Sequence, residues 1–190
     1  MNRRKALKGL LLLGGSGAAI LGGIKGYRLF RSPDLQQLSH YRPLIAELAE
    51  TIIPRTDTPG AKDAGVPDFI ITMIKDCTPL RIQNRFMDGL EDVVHYAHAQ
   101  YGHSFFACSQ EQRHNILAHF EKRDRPYSGL PGKVSRKLFG DTFFITLKHY
   151  TVQGYCTSMQ GATQALAYDY VPGRYQGCAT LEPGQKCWAT

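Results

Sequence analysis

The sequence predicts an all-α protein: one compact helical domain behind an N-terminal targeting segment, with an irregular C-terminal tail. Three observations carry that expectation. Apolar residues recur three, four, seven and eight positions apart along most of the chain. Proline and glycine fall where such runs begin and end. No stretch alternates apolar and polar residues as a half-buried strand does. The 190 residues divide into 1–31, a leader; 32–178, a body long enough for one hydrophobic core; and 179–190, a tail.

The first helix of the body starts at Pro43, a residue suited to a first helical position, and turns Leu44, Ile45, Leu48, Ala49, Ile52 and Ile53 to one side until Pro54 stops it. Residues 54–66 (PRTDTPGAKDAGV) hold two prolines, two glycines and small polar residues, and read as an ordered loop. Pro67 opens a second helix with Phe69, Ile70, Met73 and Ile74 inward. Thr78 and Pro79 read as a cap and first-turn proline for the longest helix, which carries Phe86, Leu90, Val93, Ala97 and Tyr101 and ends at Gly102. Ser109 and Gln112 have the spacing of a capping box ahead of Ile116, Leu117 and Phe120. Residues 123–133, with two prolines and two glycines, read as another loop.

Phe139, Phe143, Leu147 and Tyr150 mark a fifth helix. Leu138, Phe144 and Ile145 widen its apolar stripe, so it is expected at the centre of the domain. Met159, Ala162, Ala165 and Leu166 predict a further helical stretch rich in small residues. Past Val171 the composition turns to Pro, Gly, Cys and Trp, which predicts irregular structure.

The leader holds seven of the 23 basic residues and none of the 16 acidic ones. The remainder is therefore balanced at 16 of each, and the net charge of +7 is a property of the leader alone. A neutral body offers no electrostatic footprint for phosphate backbone, which excludes a nucleic-acid partner. Arg3 and Arg4, followed by Ala6, Leu7 and Lys8, resemble a twin-arginine export signal ahead of the uncharged run 9–24 (GLLLLGGSGAAILGGI). That run is at the lower length limit for crossing a hydrocarbon core of about 30 Å, and its glycines weaken it as a helix. The expected location is periplasmic and membrane-associated, with the twin-arginine translocase as a partner. No tidy small-x-small cleavage site follows, so the leader is either removed or kept as a tether.

Five cysteines, Cys77, Cys108, Cys156, Cys178 and Cys187, sit in a chain bound for an oxidising compartment. The number is odd, so at least one stays free or pairs with another chain. Cys178 and Cys187, in the tail, are the candidates for a disulfide or an intersubunit bond; Cys77, Cys108 and Cys156 are expected to be buried structural thiols. No cysteine starts a C-x-x-C-H haem attachment or a C-x-x-C pair. His95 and His98 lie one turn apart on the long helix but lack the H-E-x-x-H pattern, and read as a surface pair more readily than as metal ligands. There is no G-x-S-x-G nucleophile elbow. The glycines at 14–17 lie in the leader, without the strand and third glycine that a dinucleotide site requires. No catalytic, cofactor-binding or metal-binding residue is therefore assigned. A chain that uses the folded-protein export route while offering no cofactor site of its own points to a partner that carries one.

Two stretches, 48–70 (LAETIIPRTDTPGAKDAGVPDFI) and 154–178 (GYCTSMQGATQALAYDYVPGRYQGC), resemble the gluconate 2-dehydrogenase subunit 3 family. The resemblance extends over about 41–178, and the I-I-P-x-T-D-T-P-G-A-x-x-A-G-V-P run is its most specific part. It implies a small, non-catalytic subunit of a membrane-associated complex whose large subunit is an FAD-dependent dehydrogenase of the glucose–methanol–choline type. A multi-haem cytochrome c subunit often completes such complexes. FAD, and haem c where a cytochrome is present, would lie on the partners. The resemblance also implies that this chain escorts the flavoprotein through export and stays bound to it. The candidate partner interface is Pro54, Thr56, Asp57, Pro59 and Gly60 of the first loop with Tyr170, Tyr175 and Trp188 of the tail, since aromatic residues are enriched at interface centres. The loop reads equally as a structural connector or as a rigid lip, and the aromatics as scattered surface residues or as a contact patch. Two other readings remain: an exported metal- or redox-binding protein using its histidines and cysteines, and a simple membrane tether.

Overall fold

The computed structural model describes residues 31–125, 129–171, 173, 177–178, 180 and 183–189. Six α-helices lie among them: α1 (Arg42–Ile52), α2 (Val66–Thr72), α3 (Leu80–Tyr101), α4 (Gln110–Arg123), α5 (Gly129–Phe139) and α6 (Phe143–Thr157). Helix α2 continues into a π-helical turn, Met73–Cys77, and a second such turn spans Gly161–Ala165. The all-α class is as the sequence predicts, and no described helix is long and apolar enough to cross a membrane. The run 9–24 lies outside the described residues.

Helix α6 is the centre of the packing, in contact with α1, α2, α3 and α4. Its apolar width explains this, because Phe143, Phe144, Leu147 and Tyr155 are buried toward different neighbours. At one end, the ring of Phe143 lies 5.4 Å from Phe86 of α3 and 5.8 Å from Phe120 of α4. Gly89 makes that approach feasible: a Cβ there would collide with the Phe143 ring. At the other end, Gly154 admits the ring of Phe69, which lies 2.6 Å from where a Cβ would stand. Small residues thus set the distance of α6 from both α3 and α2.

Several helix ends are as the sequence predicts. Ser109 and Gln112 form the reciprocal capping box of α4, worth about 1 kcal/mol. Gly102 closes α3 at φ 74°, a left-handed conformation that glycine adopts without cost. The start of α3 differs from the expectation. Thr78 does not cap it; its hydroxyl donates to the carbonyl of Met73 at 2.8 Å and lies 2.9 Å from Tyr150 Oη, so it closes the preceding π turn instead. Gln83 also serves that turn, donating to the carbonyl of Ile74 at 2.8 Å.

The larger correction concerns residues 123–140. Helix α5 begins inside the expected loop at 123–133 and runs on through Leu138 and Phe139. Pro131 and the glycines suggest a break, but Pro131 stands in the first turn, where a helix has no use for the missing N–H. Gly140, at φ 75°, then separates α5 from α6. The central helix consequently starts at Phe143, and Leu138 and Phe139 are exposed rather than part of its stripe. Asp124 organises this junction: its buried carboxylate accepts from the Phe144 N–H at 2.9 Å, at the start of α6, and from Arg123 Nε at 2.9 Å.

Beyond α6 the predicted helical stretch is present and short, residues 159–165, most of it the π turn Gly161–Ala165, and Met159 is exposed. The tail is irregular as expected, with one ordering contact. Ala167 and Trp188 form a parallel bridge through Ala167 N–H to Cys187 O (2.8 Å) and Ala189 N–H to Ala167 O (2.9 Å).

Candidate partner interface

The loop between α1 and α2 is held by two carboxylates one turn apart on α1. Glu50 accepts from the backbone N–H of Arg55 (3.0 Å) and of Lys62 (2.9 Å), pinning the loop at both ends. Glu47 receives Lys62 Nζ at 2.7 Å and Arg113 Nη1 at 2.6 Å. Burial raises the Glu47 pKa, but the hydrogen bonds and charges of Lys62 and Arg113 outweigh it and leave the carboxyl below its ordinary value. Arg113, on α4, also donates to the Phe106 carbonyl at 2.9 Å, which extends the clamp from α1 and α4 to the short turn Phe105–Ala107 that precedes α4.

Within the loop, Ala61 N–H donates to Ile53 O (3.0 Å) and Val66 N–H to Ala61 O (3.1 Å), so the chain closes on itself before α2. Gly60 is buried against the Glu50 carboxylate, which occupies the space a Cβ would need. Gly65 takes φ 69° immediately before the helix. Pro54, Arg55, Thr56 and Asp57 are left exposed at the tip, where Thr56 Oγ1 donates to Asp57 Oδ1 at 2.9 Å. The tip borders a cleft of about 440 Å³, lined in part by Glu50, Pro54, Glu111, Arg113 and His114.

The hydroxyl of Tyr155, in the last turn of α6, donates to the carbonyl of Pro59 at 2.7 Å. With Gly154 receiving Phe69, this joins the two stretches that carry the sequence resemblance into one structural unit. Their spacing in sequence, near one hundred residues, gives no hint of that contact.

A comparison with protein-family models matches residues 39–173 to gluconate 2-dehydrogenase subunit 3. The chain belongs to the gluconate 2-dehydrogenase subunit 3 family. The match covers all six described α-helices, from the turn before α1 to a few residues past the π turn at Gly161–Ala165. Searches of curated proteins and of solved structures each found no match. The family is that of a subunit of a gluconate 2-dehydrogenase complex.

Of the other interface candidates, Tyr170 is 85% exposed and Trp188 57%. The bridge at Ala167 brings Trp188 back beside the segment that carries Tyr168 and Tyr170, so the exposed aromatics share the end of the domain beyond α6. Tyr175 and the export residues Arg3, Arg4, Leu7 and Lys8 lie outside the described residues. Cys178 and Cys187 are both exposed and unbridged. Cys108 is a buried thiol as expected and Cys156 is half-buried, whereas Cys77 is exposed, because the π turn ends there and swings it out of the core. Burial raises the Cys108 pKa, with nearby Arg113 opposing. His95 and His98 are exposed on α3, and no group of three metal-ligating side chains occurs among the described residues. Sequence reasoning missed Glu47, Glu50, Arg113 and Tyr155. Two glutamates on the polar side of α1, just before the loop, were the available signal for the first pair.

Proposed function

We propose that this subunit 3 protein is a non-catalytic partner of an FAD-dependent dehydrogenase of the glucose–methanol–choline type. In this reading it escorts the folded flavoprotein through twin-arginine export and remains bound to it in the periplasm. The family match over the helical body is the observation that carries the reading, and the construction of the 54–66 loop supports it. A loop meant only to connect α1 and α2 has no need of two carboxylates, a tyrosine from α6 and a buried glycine. Those contacts make a stiff support for an exposed tip at Pro54–Asp57. A rigid surface loses little conformational freedom on binding, which favours affinity.

Two contact regions follow: the tip with Thr56 and Asp57, and the aromatic patch with Tyr170 and Trp188. FAD would lie on the flavoprotein, as would the catalytic residues, and a multi-haem cytochrome c would join as a further subunit where the complex has one. The test is co-expression with the flavoprotein subunit and affinity purification through this chain. Thr56→Ala/Asp57→Ala and Tyr170→Ala/Trp188→Ala should each lower the flavin recovered with it while leaving its thermal unfolding unchanged. Full recovery from both double variants would remove these surfaces from the interface. Absence of flavoprotein from the wild-type purification would defeat the proposal itself.

A further inference from the structure

Helix α5 is attached to the body by its C-terminal end. Arg81 donates to the Leu138 carbonyl at 2.8 Å, and Arg85 donates to the carbonyls of Phe139 (3.2 Å) and Gly140 (3.0 Å). Two guanidinium groups from α3 thus satisfy the carbonyls that every helix leaves open at that end. Gly132 is buried on the side facing the body. On the opposite side Leu130, Val134 and Leu138 follow one another at four-residue spacing, 77%, 55% and 56% exposed. These three large apolar residues share one helix face that no described residue covers, and Phe139 at the end of the same helix is exposed as well, so α5 gathers four of the exposed large apolar side chains of the described surface.

The charge beside the stripe identifies what covers it. Lys133 and Lys137 are exposed along its edge, Arg136 adds a third basic residue to the helix sequence, and there is no acidic residue between Gly129 and Gly140. An apolar stripe edged by cations is the pattern of a helix that lies in the plane of a lipid surface, with its side chains among the acyl chains and its lysines at anionic headgroups.

The position of Arg31 agrees. The carbonyl of Arg31 accepts from Asn84 Nδ2 at 2.7 Å, and its guanidinium donates to Asp88 at 3.4 Å. Asn84 and Asp88 are on α3 within a turn of Arg81 and Arg85, which hold α5. Arg31, the residue at which the basic leader of the sequence meets the body, is therefore held on the part of α3 that also holds α5.

We infer that α5 is an interfacial membrane-binding helix, which docks the body on anionic phospholipid through Leu130, Val134 and Leu138 with Lys133 and Lys137. The inference stands independently of the flavoprotein, and its test contains none. The full chain is mixed with vesicles of phosphatidylcholine containing phosphatidylglycerol, or of phosphatidylcholine alone, and followed by flotation and by hydrogen exchange. The expected result is that backbone amides of 129–139 gain protection on the anionic vesicles. Val134→Glu/Leu138→Glu should abolish that protection, and Lys133→Gln/Lys137→Gln should weaken binding about thirtyfold, the loss expected for two headgroup charges. Because the replaced side chains are exposed, thermal unfolding of both variants should match wild type. Flotation of the chain with unchanged exchange over 129–139 would overturn the inference by assigning all binding to the leader. Protection of 129–139 by the flavoprotein subunit and not by vesicles would overturn it in favour of a protein contact.

Discussion

The hydroxyl of Tyr155 donates a 2.7 Å hydrogen bond to the carbonyl of Pro59. Through that bond the last turn of the central helix fixes the middle of a loop about a hundred residues earlier. The relationship accounts for a sequence pattern that helix formation alone does not require: a proline- and glycine-rich loop and a glycine–tyrosine pair at the end of α6. Each provides the other's packing surface. The loop is thereby part of the core architecture on its inner side and a rigid protrusion on its outer side.

Tyr155→Phe keeps the ring and removes the donor. Unfolding free energy should fall by about 1 kcal/mol, the usual net worth of such a bond, with a melting temperature lower by about 2–4 °C. Chemical and thermal denaturation measure it. A variant as stable as wild type would mean that the Pro59 carbonyl finds an equally good partner in water.

Gly89→Ala should be the more damaging substitution, although alanine favours helix. The added methyl meets the Phe143 ring, which is itself enclosed by Phe86 and Phe120. Overpacking of this kind costs about 1–3 kcal/mol, more than the roughly 1 kcal/mol that alanine gains over glycine. A stabilised variant would show that α3 and α6 separate at little cost.

The Glu47 clamp gives a pH dependence with a definite sign. Lys62 and Arg113 hold the folded-state pKa of Glu47 below its ordinary value. Its contribution is therefore fully present above the unfolded-state pKa and is lost as pH falls through the folded-state value. Stability measured by urea unfolding should decline toward acid, and Glu47→Gln should be less stable than wild type at neutral pH while losing less on acidification. Parallel curves for the two proteins would contradict the assignment.

Thiol reactivity should separate the cysteines by exposure. In the reduced protein, Cys77, Cys178 and Cys187 should alkylate readily, while Cys108, buried and with its pKa raised, should lag behind them until the fold is opened. Mass mapping of a time course with iodoacetamide distinguishes them, and rapid labelling of Cys108 would contradict the packing around Phe105 and Arg113.

The helical class, the capping box at Ser109, the stop at Gly102 and the central place of Phe143 and Leu147 were legible in the sequence because each depends on residues within a turn or two of one another. Helix α5 was not. Gly129, Pro131 and Gly132 disfavour a helix by local rules, and its apolar stripe has no buried neighbour to match; what secures it are Arg81 and Arg85, some fifty residues away. The candidate interface was legible as a loop but not as a built one, for the same reason: the side chains that stiffen it come from α1, α4 and α6. Cys77 was misplaced because a π turn shifts the facing of every residue after it, and periodicity assumes a constant turn.

The central claim is that the chain exports a partner as well as itself. The direct measurement is the location of the flavoprotein subunit, followed by flavin content and immunodetection in periplasmic and cytoplasmic fractions, when it is co-expressed with this chain carrying Arg3→Lys/Arg4→Lys. The account predicts that the flavoprotein, exported with the wild-type chain, stays in the cytoplasm with the variant. A flavoprotein that reaches the periplasm equally well with either chain would contradict it.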